Sequence, residues 1–296
     1  MIPFHRANRV IAAKAAQSEP PPQPRMPSAP NHCSGTGPNG ACSFQGWGGK
    51  QGLSGAACAR IRSLWRANLY RRGDVIFYQG NAPASVYFLC QGSVKLVRDA
   101  RLGRHHILRV VNGPDLLGER AMLAGQPYAA SAEVMEDSRV CAIPREAFKN
   151  LWRDEPELSR MLAVHLSRKL AESDESACAL ALLTIREQLA ALIVSRLAPG
   201  GAERVTFSES RQDLADMLGT SAEVVSRTLS ELSRKKLIAL DGRSLRVLNG
   251  ERLRAVAGAT APRPDIYQKA PCDTSMRSAA EDHKIHAAVT QKKHVD

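Results

Sequence analysis

Residues 210–232 read SRQDLADMLGTSAEVVSRTLSEL. Ser210-Arg-Gln-Asp213 has the S-x-x-D form of a helix start, in which hydroxyl and carboxylate serve each other's backbone donors. Leu214, Met217 and Leu218 follow at helical spacing and make one apolar face. Gly219 supplies a turn, and the small Ala215 lets two helices approach closely. Thr220-Ser-Ala-Glu223 repeats the capping-box pattern and predicts a second helix with Val224, Val225, Leu229 and Leu232 as its buried side. Helix, glycine turn and helix together form a helix-turn-helix. Beyond it, Leu237–Leu240, Asp241-Gly242 and Ser244–Leu248 read as a hairpin, or wing, closed by an Asp-Gly turn.

A helix-turn-helix reads duplex DNA by laying its second helix in the major groove, N-terminal residues foremost. The exposed side of that helix carries Glu223, Ser226 and Arg227. Arg227 can bond guanine O6 and N7, Glu223 can accept from a cytosine amine, and Ser226 is small enough to meet a thymine methyl. Arg211, Gln212, Thr220, Ser221 and the cluster Arg234-Lys235-Lys236 are the expected phosphate contacts. The bland alternative is an i,i+4 Glu223–Arg227 ion pair on a solvated helix. That leaves the caps, turn and wing together unexplained.

Working outward, Asp154-Glu-Pro-Glu157 predicts a helix start with Asp154 as N-cap. The helix runs over about 155–184, and a shorter one follows over 185–197. Leu162, Leu166, Leu170, Ser173, Ala177 and Leu180 recur every three or four residues along the long helix. They make a narrow stripe expected to be the seam of a homodimer. Before it the pattern is β-rich: 74–78, 86–90, 93–98, 106–111 and 139–143 are short apolar runs divided by Gly-containing turns. A helix over about 54–67 precedes them. Residues 17–52 are crowded with Pro and Gly and predict a disordered tail. The expected organisation is a tail over 1–52, a sensory domain over 53–153, a dimerisation helix over 154–184, a DNA-binding domain over 185–257 and a second tail over 258–296.

The chain has 296 residues and a net charge of +12, which points to an acidic partner. The excess is spread: +4 over 1–52, +7 over 53–257 and +1 over 258–296. Bulk charge therefore does not locate an interface. No run approaches the ~20 apolar residues of a membrane span, and Met1–Val10 lacks the apolar core of a secretory signal. A cytoplasmic protein with no membrane partner is expected. The seven cysteines are scattered and odd in number, as reduced thiols or metal ligands are rather than a disulfide framework. No G-x-S-x-G, H-E-x-x-H or P-loop string is present, so no enzyme is expected. The competing classes are a metal- or redox-dependent enzyme and a regulatory module acting on a protein partner.

At these residues the sequence resembles the CRP/FNR family of bacterial transcription regulators, over about 53–255. The β-rich half carries the resemblance in Arg72-Gly73-Asp74-Val-Ile-Phe77, Val86–Lys95 and Leu117-Gly118-Glu119. The implied fold is α+β: a cyclic-nucleotide-binding-like β-roll (a jelly roll), a long dimerisation helix and a winged helix-turn-helix. Glu223-x-x-Ser226-Arg227 is similar to the FNR branch, and Ala222 stands where the cyclic-AMP branch has an Arg. A palindrome of TTGAT-type half-sites is implied, with RNA polymerase as a further partner and the sign of regulation open. The family's effector pocket maps onto Gly118, Glu119, Ala130, Ser131, Ser173 and Asp174. Ala130 replaces the Arg that holds a cyclic phosphate, which argues against cyclic AMP. The FNR branch holds an iron–sulfur cluster, and the corresponding thiols here are Cys33, Cys42, Cys58 and Cys141. The same cysteines also read as core residues and tail thiols, with Cys90 as a strand-core residue. Haem occurs in the family too, with His105, His106 and His165 as the histidines to consider. The effector stays open.

Overall fold

The computed structural model describes residues 42–99, 105–197, 204–242 and 244–258. In chain order the elements are α1 (Ser43–Lys50), α2 (Gly55–Ser63), β1 (Arg66–Tyr70), β2 (Val75–Phe77), β3 (Ser85–Gln91), β4 (Ser93–Asp99), β5 (His105–Asn112), β6 (Asp115–Leu117) and α3 (Glu119–Ala124). They continue with β7 (Ser131–Val134), β8 (Ser138–Pro144), α4 (Arg145–Asp154), α5 (Pro156–Leu182), α6 (Ile185–Ser195) and β9 (Arg204–Thr206). The last are α7 (Arg211–Leu218), α8 (Ala222–Arg234), β10 (Ile238–Asp241), β11 (Ser244–Val247) and α9 (Gly250–Ala257).

The β-roll is two four-stranded antiparallel sheets, ordered β1-β8-β3-β6 and β2-β7-β4-β5. Strand alternation sends Tyr87 and Leu89 of β3 into a core shared by both sheets, with Ile76, Val94, Val111 and Ala132. Val86, Phe88 and Cys90 point the other way, into a second core that α1, α2, α4 and α5 cover. β3 is thus buried from Ser85 to Cys90, as a strand covered on both faces must be. A third core, built on Leu189, Ile193, Leu214, Val225, Leu229, Leu232 and Ile238, holds the C-terminal domain together.

Several sequence expectations are corrected. Residues 42–52 do not belong to a tail: α1 buries Phe44 and Trp47 against Phe88, with ring centroids 5.0 and 5.3 Å apart. Two large aromatic rings outweigh the glycines around them, since each buries ~150–250 Å². The rest of the expected tails, 1–41 and 259–296, lies outside the described residues. The helix expected through 67 ends at Ser63, because Trp65 turns into the core and β1 pairs with β8. Asp154 is not the N-cap of the long helix; Glu155 holds that place and forms a forked ion pair with Arg60. The seam stripe divides. Leu162 is 0 % exposed and packs into its own β-roll core, whereas Leu166 is half-buried and Leu170 is 63 % exposed. Ser173, Ala177 and Leu180 are exposed as well.

Candidate functional site

α7 and α8 form the helix-turn-helix, and local chemistry fixes both starts. Ser210 Oγ accepts from the Asp213 amide at 3.0 Å, and the Asp213 carboxylate accepts from the Ser210 amide at 2.9 Å. Gly219 ends α7 with φ +65°, a left-handed conformation that glycine adopts without steric cost. The N-cap of α8 is Ser221, whose hydroxyl accepts from the Val224 amide at 3.4 Å. The expected Thr220–Glu223 box is therefore corrected by one residue, which leaves the Glu223 carboxylate free of capping duty. Val225, Leu229 and Leu232 are buried as expected, Val224 is half-buried, and Thr228 joins the inner face. Its hydroxyl donates to the Val224 carbonyl at 2.7 Å, a local bond that hides its polarity.

Glu223, Ser226, Arg227 and Ser230 share the exposed side of α8, and no ion pair joins Glu223 to Arg227. Both side chains are open to a ligand. The expected phosphate contacts are less uniform. Arg234 and Lys236 are exposed. Lys235 donates to Glu231 at 2.8 Å and Gln212 to Asp216 at 2.8 Å, so each must exchange a partner to reach DNA. Arg211 is half-buried, and burial lowers its guanidinium pKa. Thr220 is half-buried and Ser221 exposed. The wing forms as read, with Asp241 opposite Ser244 and Gly242 at φ +60°. The sequence did not reveal its third strand, β9, which pairs with β11.

In the β-roll the structure buries Glu119, Ala130 and Ser131 and half-buries Gly118, while Ser173 and Asp174 stand exposed on α5. Glu119 is 2 % exposed and lies toward α5, 3.8 Å from His165 Nε2, with Asp115 3.7 Å from the same atom. Lys169 holds Asp115 at 3.1 Å. Burial pushes the Glu119 carboxyl up and the His165 imidazole down. Sequence reading missed His165, Lys169 and Arg109 as neighbours of Glu119, because they come from separate elements. Ser131 Oγ accepts from the Gln79 amide at 2.9 Å. The charges of Arg109 and Lys169 reach the Glu119 carboxylate, and Ala130 offers no cation beside Ser131.

Cys42, Cys58 and Cys141 share one buried cluster with Cys90, whose sulfur is 3.2 Å from that of Cys141. Cys33 lies outside the described residues. Burial, Glu157 and Cys42 push the Cys58 thiol up. Among the described residues no three His, Cys, Asp or Glu converge as metal ligands. His105 is exposed and bonded to Asp99 at 2.6 Å, and His165 is enclosed by carboxylates and the Trp47 ring. No helix among the described residues is long and apolar enough to cross a membrane.

The architecture has relatives. Residues 68–155 match the family model of the cyclic nucleotide-binding domain, and 179–256 that of the Crp-like helix-turn-helix domain. The chain is 32 % identical over 178 residues to a cyclic AMP receptor protein of Thermus thermophilus, covering 60 % of this chain and 82 % of that one. It is 28 % identical over 200 residues to the transcriptional activator protein Anr of Pseudomonas protegens, covering 66 % and 82 %. A solved transcriptional regulator of the CRP/FNR family, also from Thermus thermophilus, superposes with a TM-score of 0.54 at 29 % identity, over 64 % of this chain and 97 % of that one. FixK2 of Bradyrhizobium japonicum shares the fold, with a TM-score of 0.60 at 24 % identity over 66 % and 98 %. With a β-roll, a long helix and a winged helix-turn-helix in the same order, the chain belongs to the CRP/FNR family of transcription regulators.

Proposed function

We propose that a homodimer of this chain binds a palindromic DNA site of TTGAT-like half-sites and regulates transcription there, in the manner of the FNR branch. The carrying observation is the exposed trio Glu223, Ser226 and Arg227 on one side of a doubly capped helix pair, with no ion pair between Glu223 and Arg227. In this reading Arg227 bonds a guanine edge, Glu223 accepts from a cytosine amine, and Ser226 meets a thymine methyl. Arg211, Gln212, Thr220, Ser221, Arg234, Lys235 and Lys236 hold phosphates and set register without reading sequence. The dimer forms along the exposed part of α5, through Leu166, Leu170, Ser173, Ala177 and Leu180. RNA polymerase is the further partner of an activator built this way.

The test is binding to a TTGAT–ATCAA duplex and to a scrambled duplex over a salt series. The expected result is preference for the palindrome at every salt, with affinity falling as salt rises. Arg227→Ala should cost about 1–3 kcal/mol and relax discrimination at one G·C pair. An equal loss on both duplexes would make Arg227 a phosphate contact, and absence of any preference would overturn the reading.

A further inference from the structure

The resemblance places the effector positions of the β-roll at the Gly118–Glu119 turn and the Ala130–Ser131 segment, and a buried aromatic ring of the chain lies against that turn. Tyr128 is 4 % exposed and stacks on Phe77, with centroids 4.0 Å apart and planes 20° apart. Phe77 in turn stacks on Tyr87 at 5.6 Å and 29°. The Tyr128 ring lies directly on Gly118: a Cβ built there would sit 3.1 Å from Tyr128 Cε1. Gly118 has φ +82°, so both its conformation and its missing side chain suit this approach.

The ring is held at several points. Its hydroxyl donates to the Ser85 carbonyl at 2.8 Å. Its backbone is clamped on both sides, with the Tyr128 amide donating to the Asn81 carbonyl at 2.9 Å and its carbonyl accepting from the Gly80 amide at 2.8 Å. Two polar neighbours are already turned to partners or neighbours within the chain. Ser131 serves the Gln79 amide, and Glu119 lies toward His165. A nucleotide seated against Gly118 would have to displace this buried, hydrogen-bonded ring, and Ala130 offers its phosphate no cation.

We propose that the Tyr128 side chain is the resident occupant of the β-roll pocket, so that this sensory domain takes no cyclic nucleotide.

The experiment uses the full chain. Thermal unfolding and equilibrium dialysis are run with cyclic AMP and with cyclic GMP at millimolar concentration. The expected result is no shift in Tm and no retained nucleotide. Tyr128→Ala should lower Tm and open an apolar cavity the size of the lost ring. Added phenol should then raise the variant's Tm by a few degrees, since a ligand that binds only the folded state stabilises it. The native chain and Tyr128→Phe should not respond to phenol. A Tm rise or nucleotide retention in the native chain would overturn the proposal. So would a folded Tyr128→Ala variant that phenol leaves unmoved, which would make Tyr128 an ordinary core residue. If Tyr128→Ala does not fold, dialysis on the native chain decides alone.

Discussion

Glu209 is 3 % exposed, and among the described residues Arg196 is the cation paired with it. Arg196 donates to its two oxygens at 2.8 and 2.5 Å, and its guanidinium lies 4.8 Å from the Phe207 ring centre. The pair fixes the end of α6 to the loop that launches α7, and so places the N-cap Ser210. Burial would raise the Glu209 carboxyl, but the bonds and charge of Arg196 outweigh it and hold it below the ordinary carboxylate range. The sign follows. A depressed carboxyl contributes stability above its unfolded pKa and loses it as pH falls through the folded value. Arg196→Met leaves a buried carboxylate unpaired and should cost about 3 kcal/mol near neutral pH. Its pH dependence should also invert: Glu209 now prefers a proton, so the variant gains stability on mild acidification where the native chain does not. Urea midpoints between pH 5 and 8 check this, and a variant with the native pH profile would sink it. At this scale legibility tracked sequence distance. Ser210 and Asp213, three apart, could be read as a cap. Glu209 and Arg196 could not be matched, because only the fold brings them together. Tyr128 carried no pattern at all, since a lone aromatic between Pro127 and Ala129 looks like any loop residue.

Elements whose signal is periodic were legible, and those held by tertiary packing were not. The long helix was expected over 155–184 and spans Pro156–Leu182. The helix-turn-helix and wing came out within a residue or two of their expected ends. β6 and β7, of three and four residues, were missed because so short a run has no measurable alternation. α1 was missed because glycines mask two aromatic anchors. The cap geometry makes a sharp prediction about α7 and α8. Ser210→Ala should cost about 1 kcal/mol, because it empties a reciprocal capping box. Thr220→Ala should change the urea midpoint very little, since Ser221 and not Thr220 caps α8. Equal effects would mean that the capping assignment is off by one residue. The long helix makes another. Leu162 is already buried in its own β-roll, so the free apolar surface begins further along, where Leu170 is largely exposed. Leu170→Glu should yield a folded monomer in sedimentation and lose tight binding to the palindrome while circular dichroism stays native. A dimer that survives this change would place the seam elsewhere.

Across the whole molecule, the net charge of +12 at first suggests a cationic surface built for DNA. The structure assigns part of that charge to internal work. Lys95 of β4 donates to Asp213 of α7 at 2.9 Å and lies 3.3 Å from Glu133 of β7. Asp213 therefore caps α7 and ties it to the β-roll with one carboxylate. The tie matters because a dimer must offer its two reading helices at the spacing of successive major grooves, about 34 Å for half-sites one turn apart. A helix-turn-helix free to tilt would present that spacing only part of the time, and its apparent affinity would fall by that fraction. Lys95→Met should then weaken palindrome binding about fivefold, the worth of a partly exposed ion pair near 1 kcal/mol. Lys95→Arg should keep most of the affinity. The slope of log K against log salt separates orientation from direct contact. A lysine that touches a phosphate contributes about one unit of slope, and its removal takes that away. Because Lys95 spends its ammonium on Asp213 rather than on a phosphate, Lys95→Met should lower affinity at every salt with the slope unchanged. Combining it with Asp213→Asn should cost less than the sum of the two single changes, as partners in one bond require. A reduced slope would make Lys95 a phosphate contact, and strict additivity would mean that the bond between β-roll and α7 does not bear on DNA binding.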